Sequence, residues 1–161
     1  MNTPALAIYH PNARGTGCAI KLALVKPTPI EGGDEFTDGY LELTIASQDT
    51  AGKQKLPTFD WDNSIDARLF FGDISKILAV LHGLYESVED GKGLFIHKPN
   101  GERVNLRFRH MVEPFNGYSI EASRNSGDNN WTTAHIYLSD TEAIGVCYAI
   151  ESAIGKVVFG D

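Results

Sequence analysis

The chain has 161 residues, of which 42% are hydrophobic and 22% are charged, and its formal net charge is −7. This length suits one domain with a sizeable core, so we expect a single domain over residues 1–161. The negative charge argues against a protein that is held on duplex DNA by bulk positive charge, but it is compatible with a local basic face. The sequence shows no membrane-spanning run, signal or transit pattern, which predicts a soluble cytoplasmic protein.

The first half predicts four strands and a helix. Residues 1–15 contain Pro4, Pro11 and Gly15 and are predicted to form an irregular arm. Alternating apolar residues predict strands over 17–26 and 40–47, and further strands are expected over 58–61 and 65–71. Helical spacing then predicts a helix that starts near Asp73 as its N-cap and ends before Glu89. Its apolar stripe is Ile74, Ile77, Leu78, Leu81, Leu84, Tyr85 and Val88.

The second half has the same order of elements. Strands are predicted over 93–98, 103–112, 118–124 and 131–138, with a hairpin turn at Pro99-Asn100-Gly101. Ser139 or Asp140 is expected to cap a second helix with a stripe of Ala143, Cys147, Ile150 and Ile154. The tail over 156–160 is apolar enough to pack back on the body or on a neighbouring chain.

An internal repeat links the two halves. Residues 134–144 repeat the pattern of residues 67–77 at an offset of 67, which aligns Asp73 with Asp140. The predicted fold class is therefore α+β, with two tandem ββββα units in which a helix covers each antiparallel sheet. The first repeat is expected over about 16–90 and the second over about 92–160.

Strand parity leaves one face of each sheet open, and this face carries the candidate site. Trp61, Leu69, Phe71 and the helix stripe are predicted to face the core, whereas cationic, imidazole and aromatic side chains face away from it. The outward set is Arg68, Phe70, Phe95, His97, Arg103, Arg107, Arg109, His135 and Tyr137. Aromatic faces accept stacked bases and guanidinium groups bind phosphates, a combination typical of single-stranded nucleic acid binding. Stacking is assigned to Phe70, Phe95 and Tyr137, and phosphate contact to Arg68, Arg103, Arg107 and Arg109.

A plainer interpretation of the same pattern stays open. The arginines could solubilise an antiparallel sheet by pairing with Glu42, Glu102 or Glu121, while the aromatic residues pack between the two halves. The other chemistries are weaker: the five histidines show no metal-ligand spacing, no loop has the pattern of a nucleotide-phosphate site, and no nucleophile has an arguable base. The two cysteines, Cys18 and Cys147, are expected to be reduced thiols. No enzymatic activity, cofactor or metal is predicted.

Several stretches together resemble a known family. They are Ile8-Tyr9, residues 15–22, the Phe59-Asp60-Trp61 triplet that leads into a strand and helix, and the second strand and helix that end near Gly160. In order and spacing they resemble the Whirly single-stranded DNA-binding proteins and the related mitochondrial guide-RNA-binding proteins. The resemblance implies two ββββα units, a tetramer joined by helices, and single strands bound between sheets of adjacent protomers with little sequence preference. The Pur-type repeat proteins are the nearest structural competitor.

One departure from the family lies on the first predicted strand. The family's Lys-Gly-Lys-Ala-Ala-Leu motif falls at residues 15–20, where the small residues are kept and both lysines are lost. Arg14 and Lys21 flank this position and are expected to substitute, and Tyr9 precedes it. These three residues complete the candidate nucleic-acid-binding set.

The sequence thus predicts a sequence-tolerant binder of single-stranded nucleic acid, with DNA favoured over RNA. The expected processes are DNA maintenance, replication, recombination or transcription. The competing interpretation is an acidic oligomeric scaffold that binds protein and not nucleic acid, which the net charge of −7 favours.

Overall fold

A computed structural model of the chain describes residues 4–49 and 56–161. The first unit consists of β1 (Ala5–His10), β2 (Cys18–Val25), β3 (Tyr40–Ser47), β4 (Ile65–Leu69) and α1 (Phe71–Leu81). The second consists of β5 (Leu94–His97), β6 (Arg103–Met111), β7 (Gly117–Asn125), β8 (Trp131–Ser139) and α2 (Asp140–Phe159). Short 3₁₀ turns occupy Trp61–Asn63 and Val88–Gly91. The predicted α+β class with two ββββα units is confirmed.

Each unit forms a four-stranded antiparallel sheet in which neighbouring strands follow one another in the chain, β1 to β4 in the first sheet and β5 to β8 in the second. Residues opposite each other in the register share a face, as do Leu22 and Leu43 in the first sheet. Alternation therefore sends one set of side chains towards the helices and leaves the other on an open face. In the second sheet Leu106, Ala122 and Ala134 form one such row on the inner face.

The inner faces of both sheets and the buried stripes of both helices form one apolar cluster. Leu41, Leu69, Ile74, Leu106 and Leu138 are each at most 2% exposed. Complete burial of an aliphatic side chain of this size contributes about 1.5–3 kcal/mol. The open faces therefore lie on sheets whose strand positions are fixed by this core.

The strands of the first unit differ from the predicted ones. The predicted irregular arm begins with residues 1–3, which lie outside the described residues, but it contains strand β1, in which Ile8 pairs with Ile20. Residues 58–61 are not a strand: only Phe59 forms an isolated bridge, to Gln48, and Trp61 begins a 3₁₀ turn. This strand was predicted as irregular because its short alternating pattern lies between Pro4 and Pro11, which are typical of loops. The strand before α1 ends at Leu69, not at residue 71.

Helix α1 is shorter than its apolar pattern predicts. It begins at Phe71, and Asp73 is not the N-cap residue but lies one turn inside, where its carboxylate accepts the Phe70 backbone N–H at 3.0 Å. The helix ends at Leu81 because Gly83 adopts a φ of +78°, a left-handed stop that glycine tolerates. Leu84 and Tyr85, predicted on the buried stripe, are therefore 74% and 66% exposed.

Helix α2 confirms the predicted cap and extends further than expected. The Ser139 hydroxyl accepts the Glu142 N–H at 3.1 Å, and the Glu142 carboxylate accepts the Ser139 N–H at 3.0 Å. The tail over 156–160, which was expected to pack on the body or on a neighbouring chain, continues the helix to Phe159 and packs on the body through the buried Val157. Gly39 packs against this last turn, where a Cβ would lie 2.3 Å from the Val157 carbonyl oxygen.

The two helices begin 69 residues apart (140 − 71), so the structural repeat is two residues longer than the offset of 67 taken from the sequence. An offset that changes by two preserves strand parity, and the assignment of faces along the paired strands is unaffected. Among the described residues, no helix is both long and apolar enough to cross a membrane.

Candidate nucleic-acid interface

The open face of the first sheet holds four of the predicted site residues. Tyr9 lies on β1, Lys21 on β2 and Arg68 on β4, all opposite the inner apolar rows, and Phe70 directly follows β4. Tyr9 is 52% exposed and Phe70 is 40% exposed. Arg68 lies on the face that strand parity predicted, whereas Tyr9 and Lys21 were assigned from their position beside the motif of residues 15–20.

An aromatic cluster covers one end of this face. The ring of Phe59 lies 5.6 Å from that of Tyr9 and 6.4 Å from that of Trp61, and Lys21 Nζ is 3.9 Å from the centre of the Trp61 ring. The prediction that Trp61 faces the core is therefore wrong. The 3₁₀ turn carries its ring onto the open face, where the Lys21 ammonium makes a cation–π contact.

A second aromatic pair lies at the other end of the same face. Tyr40 and Phe70 have ring centres 5.6 Å apart, and Arg68 Cζ is 4.9 Å from the centre of the Tyr40 ring. Phe71, which was predicted to face the core, is the first residue of α1 and is 56% exposed. The end of β4 at Leu69 breaks the strand parity on which that prediction rested.

Formal charges on the first open face are balanced. Lys21 is opposite Thr44 and Asp66 in the register, and Arg68 is opposite Glu42. The two cations are matched by two carboxylates, and each cation lies against an aromatic ring. Among the described residues of β1 to β4, this face is therefore rich in aromatic surface and has no excess of positive charge.

The open face of the second sheet has the opposite character. Arg103, Arg107 and Arg109 project from β6 at alternate positions. The neighbouring β5 contributes Phe95, which is 70% exposed, and His97. On β8, His135 and Tyr137 lie on the same face, because Arg107 is in register with Glu121 and His135, and Arg109 with Ser119 and Tyr137.

The three arginines of β6 differ in their partners. Arg107 Nη1 is 3.7 Å from Glu121 Oε1, and its Nε donates to Asn105 Oδ1 at 3.1 Å. Within residues 4–49 and 56–161, neither Arg103 nor Arg109 has a carboxylate within 4.0 Å. In the part of the chain that the structure describes, two guanidinium groups on this face thus have no carboxylate close enough to compensate their charge.

The alternative in which carboxylates neutralise the arginines holds for one carboxylate of the three proposed. Glu121 pairs with an arginine, whereas Glu102 pairs with Lys98 at 3.6 Å. Glu42 is opposite Arg68 in the register, but the guanidinium lies against Tyr40.

Tyr137 is held in place by its neighbours. Its ring centre lies 4.3 Å from that of His135 and 5.4 Å from that of Phe115. His135 Nε2 is in turn 2.7 Å from the hydroxyl oxygen of Ser119, a buried residue. Tyr137 remains 44% exposed, so one part of the ring is fixed while another is open to a ligand. A side chain that is ordered beforehand loses less entropy when it binds.

Arg14 lies apart from the sheet faces. It sits in the turn between β1 and β2, where its backbone N–H donates to Asn12 Oδ1 at 3.1 Å. The same turn requires the absence of a side chain at Gly17, because a Cβ there would lie 2.2 Å from the His10 carbonyl oxygen, and Ala19 in the following strand is fully buried. The structure places Arg14 at the end of the sheet that also holds Tyr9.

No protein-family profile and no curated protein matches the sequence. Solved structures do match. WHY3 from Arabidopsis thaliana superposes with a TM-score of 0.74 at 19% identity, over 98% of this chain and 89% of that one. The plant transcriptional regulator PBF-2 gives a TM-score of 0.72 at 19% identity, over 99% and 84%. The chain has a Whirly-type fold. A guide-RNA-binding protein complex bound to a guide RNA also matches, with a TM-score of 0.61 at 12% identity, over 96% and 92%.

The Whirly-type fold also exposes residues that the sequence analysis did not assign to the site. Tyr40, Phe59 and Trp61 lie on the first open face, and Phe115 and Trp131 on the second, where Trp131 is in register with Asn125 and Arg103. Parity alone could have identified Tyr40 and Trp131, since each shares a face with an assigned residue. Phe115 lies in the loop between β6 and β7, where strand parity carries no information.

Proposed function

We propose that the protein binds single-stranded nucleic acid with little sequence preference and without enzymatic activity, and that DNA is preferred to RNA. The observation that carries the proposal is the second open face, where Arg103 and Arg109, which have no carboxylate partner among the described residues, lie beside exposed aromatic rings. Cations that meet phosphates and aromatic faces that accept bases are the two features that sequence-tolerant binders combine.

The second open face suits an extended strand. The segment from Arg103 to Arg109 spans six residue steps of β6, about 20 Å at 3.4 Å per residue. Arginine side chains along this length can bind successive phosphates, while Phe95 and Tyr137 lie on either side of β6 to receive bases. Stacking on an aromatic side chain contributes about 1–3 kcal/mol per base.

The first open face contributes mainly through stacking. Arg68 and Lys21 already lie against Tyr40 and Trp61, so a phosphate contact would compete with these cation–π interactions. With balanced charges, this face adds little to the salt dependence of binding. We assign it the role of a platform on which bases stack.

Two of the matched structures support the class of ligand. One is described as a transcriptional regulator and another as a guide-RNA-binding complex with its guide RNA. We propose roles for this chain in DNA maintenance, replication, recombination or transcription, and a cytoplasmic location.

The outer face of α2 supports self-association. Ile144, Tyr148 and Phe159 on this helix are 58%, 67% and 84% exposed. We propose a homotetramer joined through the helices, with single strands lying between the sheets of adjacent protomers. Size-exclusion chromatography with light scattering gives the mass; a monomer at micromolar concentration would contradict this part of the proposal.

The same exposed patch favours a second candidate, the acidic scaffold that binds protein. The absorbance of the purified protein at 260 nm distinguishes the two candidates, because nucleic acid that copurifies with the protein raises it. A scaffold would purify free of nucleic acid and would show no affinity for oligonucleotides.

Fluorescence anisotropy with labelled single-stranded DNA, single-stranded RNA and duplex DNA tests the proposal directly. We expect binding of single strands at low salt and a large loss in the variant R103Q/R109Q. The matched control, K26Q/K76Q, removes the same charge from residues that pair with Asp161 and Glu89 away from the open faces. Absence of binding at low salt, or an equal loss in both variants, would overturn the proposal.

A further inference from the structure

A cluster of three potential metal ligands joins the two helices, separate from the open faces. His82 is the C-cap residue of α1, and Cys147 and Glu151 are four residues apart on α2. His82 Nε2 hydrogen-bonds Glu151 Oε1, and Cys147 Sγ lies 3.8 Å from His82 Nε2 and 3.6 Å from Glu151 Oε1. One donor atom of each residue lies within 4.8 Å of the other two.

The spacing of these donors fits a tetrahedral ion. Zinc binds sulfur at about 2.3 Å and imidazole nitrogen or carboxylate oxygen at about 2.0–2.2 Å, so tetrahedral angles place two such ligands roughly 3.3–3.6 Å apart. The two distances from Cys147 Sγ are already close to this range. Only the direct contact between His82 and Glu151 must open, and side-chain rotation achieves this because both residues are exposed at the surface.

The donor set selects among metals. Thiolate and imidazole favour zinc and its neighbours in the transition series, whereas magnesium and calcium prefer oxygen ligands. A thiolate and a carboxylate together carry two negative charges, which balance those of a divalent cation. Ligands spaced by four residues on one helix face the same side, as metal-binding helices require.

We infer that His82, Cys147 and Glu151 bind a zinc ion that clamps the end of α1 to α2. All three residues line a cleft beside α2, together with Tyr118, Asp140 and Tyr148, so the donor atoms are open to an ion from solvent. The site links the first repeat to the second and shares no residue with the open face of the second sheet. The histidine spacing could not reveal it, because His82 lies 65 residues before Cys147 in the sequence.

Cobalt substitution provides the test, because tetrahedral Co²⁺ with a thiolate ligand shows intense visible bands and a sulfur-to-metal charge-transfer band. The full chain, kept reduced, is titrated with Co²⁺ and then with Zn²⁺. We expect one ion per chain, the charge-transfer band, its displacement by Zn²⁺, and a rise in Tm with Zn²⁺. Saturating Co²⁺ without a charge-transfer band would overturn the assignment.

Variants identify the ligands. C147A should lose the charge-transfer band. H82Q and E151Q should each weaken Co²⁺ affinity at least about tenfold, because loss of a residue that only orients a metal ligand already costs about 10–100-fold and each of these variants removes a ligand itself. The matched control is C18A, which removes the other free cysteine, a buried residue of β2. Circular dichroism establishes that each variant is folded. A band that persists in C147A, or that C18A also abolishes, would show that these three residues are not the site.

Discussion

The salt dependence of oligonucleotide binding should distinguish the arginines of β6 from one another. Arg109 has no carboxylate partner within the described residues, whereas Arg107 lies 3.7 Å from Glu121. We therefore expect R109Q to remove a full phosphate contact and R107Q to remove a weaker one. Each phosphate contact with a single strand contributes about 0.7 to the slope of log K against log salt concentration.

The size of the effect follows from this slope. Between 50 and 200 mM salt, one contact corresponds to a factor of about 2.6 in affinity. The affinity of R109Q should therefore fall over that range by a factor that is about 2.6 times smaller than the fall for the parent chain. An exposed ion pair contributes about 0.2–1 kcal/mol, so E121Q, which frees Arg107, should strengthen binding by up to about fivefold.

The assay is fluorescence anisotropy with a labelled single-stranded oligonucleotide at four or more salt concentrations. K76Q controls for net charge, because it also removes one positive charge but lies on α1. An unchanged slope in R109Q, or a larger change in R107Q than in R109Q, would refute the assignment of the unpaired arginine as the main phosphate contact.

Further variants test stacking and the fold. Y137A should weaken oligonucleotide binding by about 1–3 kcal/mol through loss of one stacked base, whereas Y85A, which removes a more exposed tyrosine after α1, should not; equal losses would contradict the platform. L106A should lower the free energy of unfolding in urea by about 2–5 kcal/mol, because the side chain is 0% exposed. S139A should lower the free energy of unfolding by about 0.5–2 kcal/mol, because it removes the hydroxyl that caps α2. Burial alone would raise the pKa of Glu142, but hydrogen bonds from Ser139 and His10 lower it below 4.5; its carboxylate therefore stabilises the fold above that pH and ceases to do so as pH falls through the lowered pKa. Urea unfolding at several pH values should show a flatter acid dependence in E142Q.

The second unit could be predicted closely from the sequence because its strands are long and alternate regularly. In β6 the inner residues Val104, Leu106 and Phe108 alternate with outward arginines, and parity alone fixed both faces. The hairpin turn before β6 and the Ser139 cap depend on local chemistry, which a single sequence displays.

The first unit could be predicted less well because its decisive features are short or distant. β1 has six residues between two prolines, so its pairing with β2 is clear only in three dimensions. The position of Trp61 depends on a 3₁₀ turn, and the end of α1 depends on the backbone conformation of Gly83 while the apolar spacing continues beyond it. The cluster of His82, Cys147 and Glu151 arises from packing between helices, which no local pattern encodes.

The two tryptophans allow the central claim, that single strands bind on the open faces, to be tested separately on each sheet. The chain has only Trp61 and Trp131, one on each open face, so W131F leaves a reporter on the first sheet and W61F leaves one on the second. Titration with a single-stranded oligonucleotide should quench the emission of both variants, at concentrations that match the anisotropy curve. Binding by anisotropy with no change in either emission would place the nucleic acid elsewhere and contradict the account.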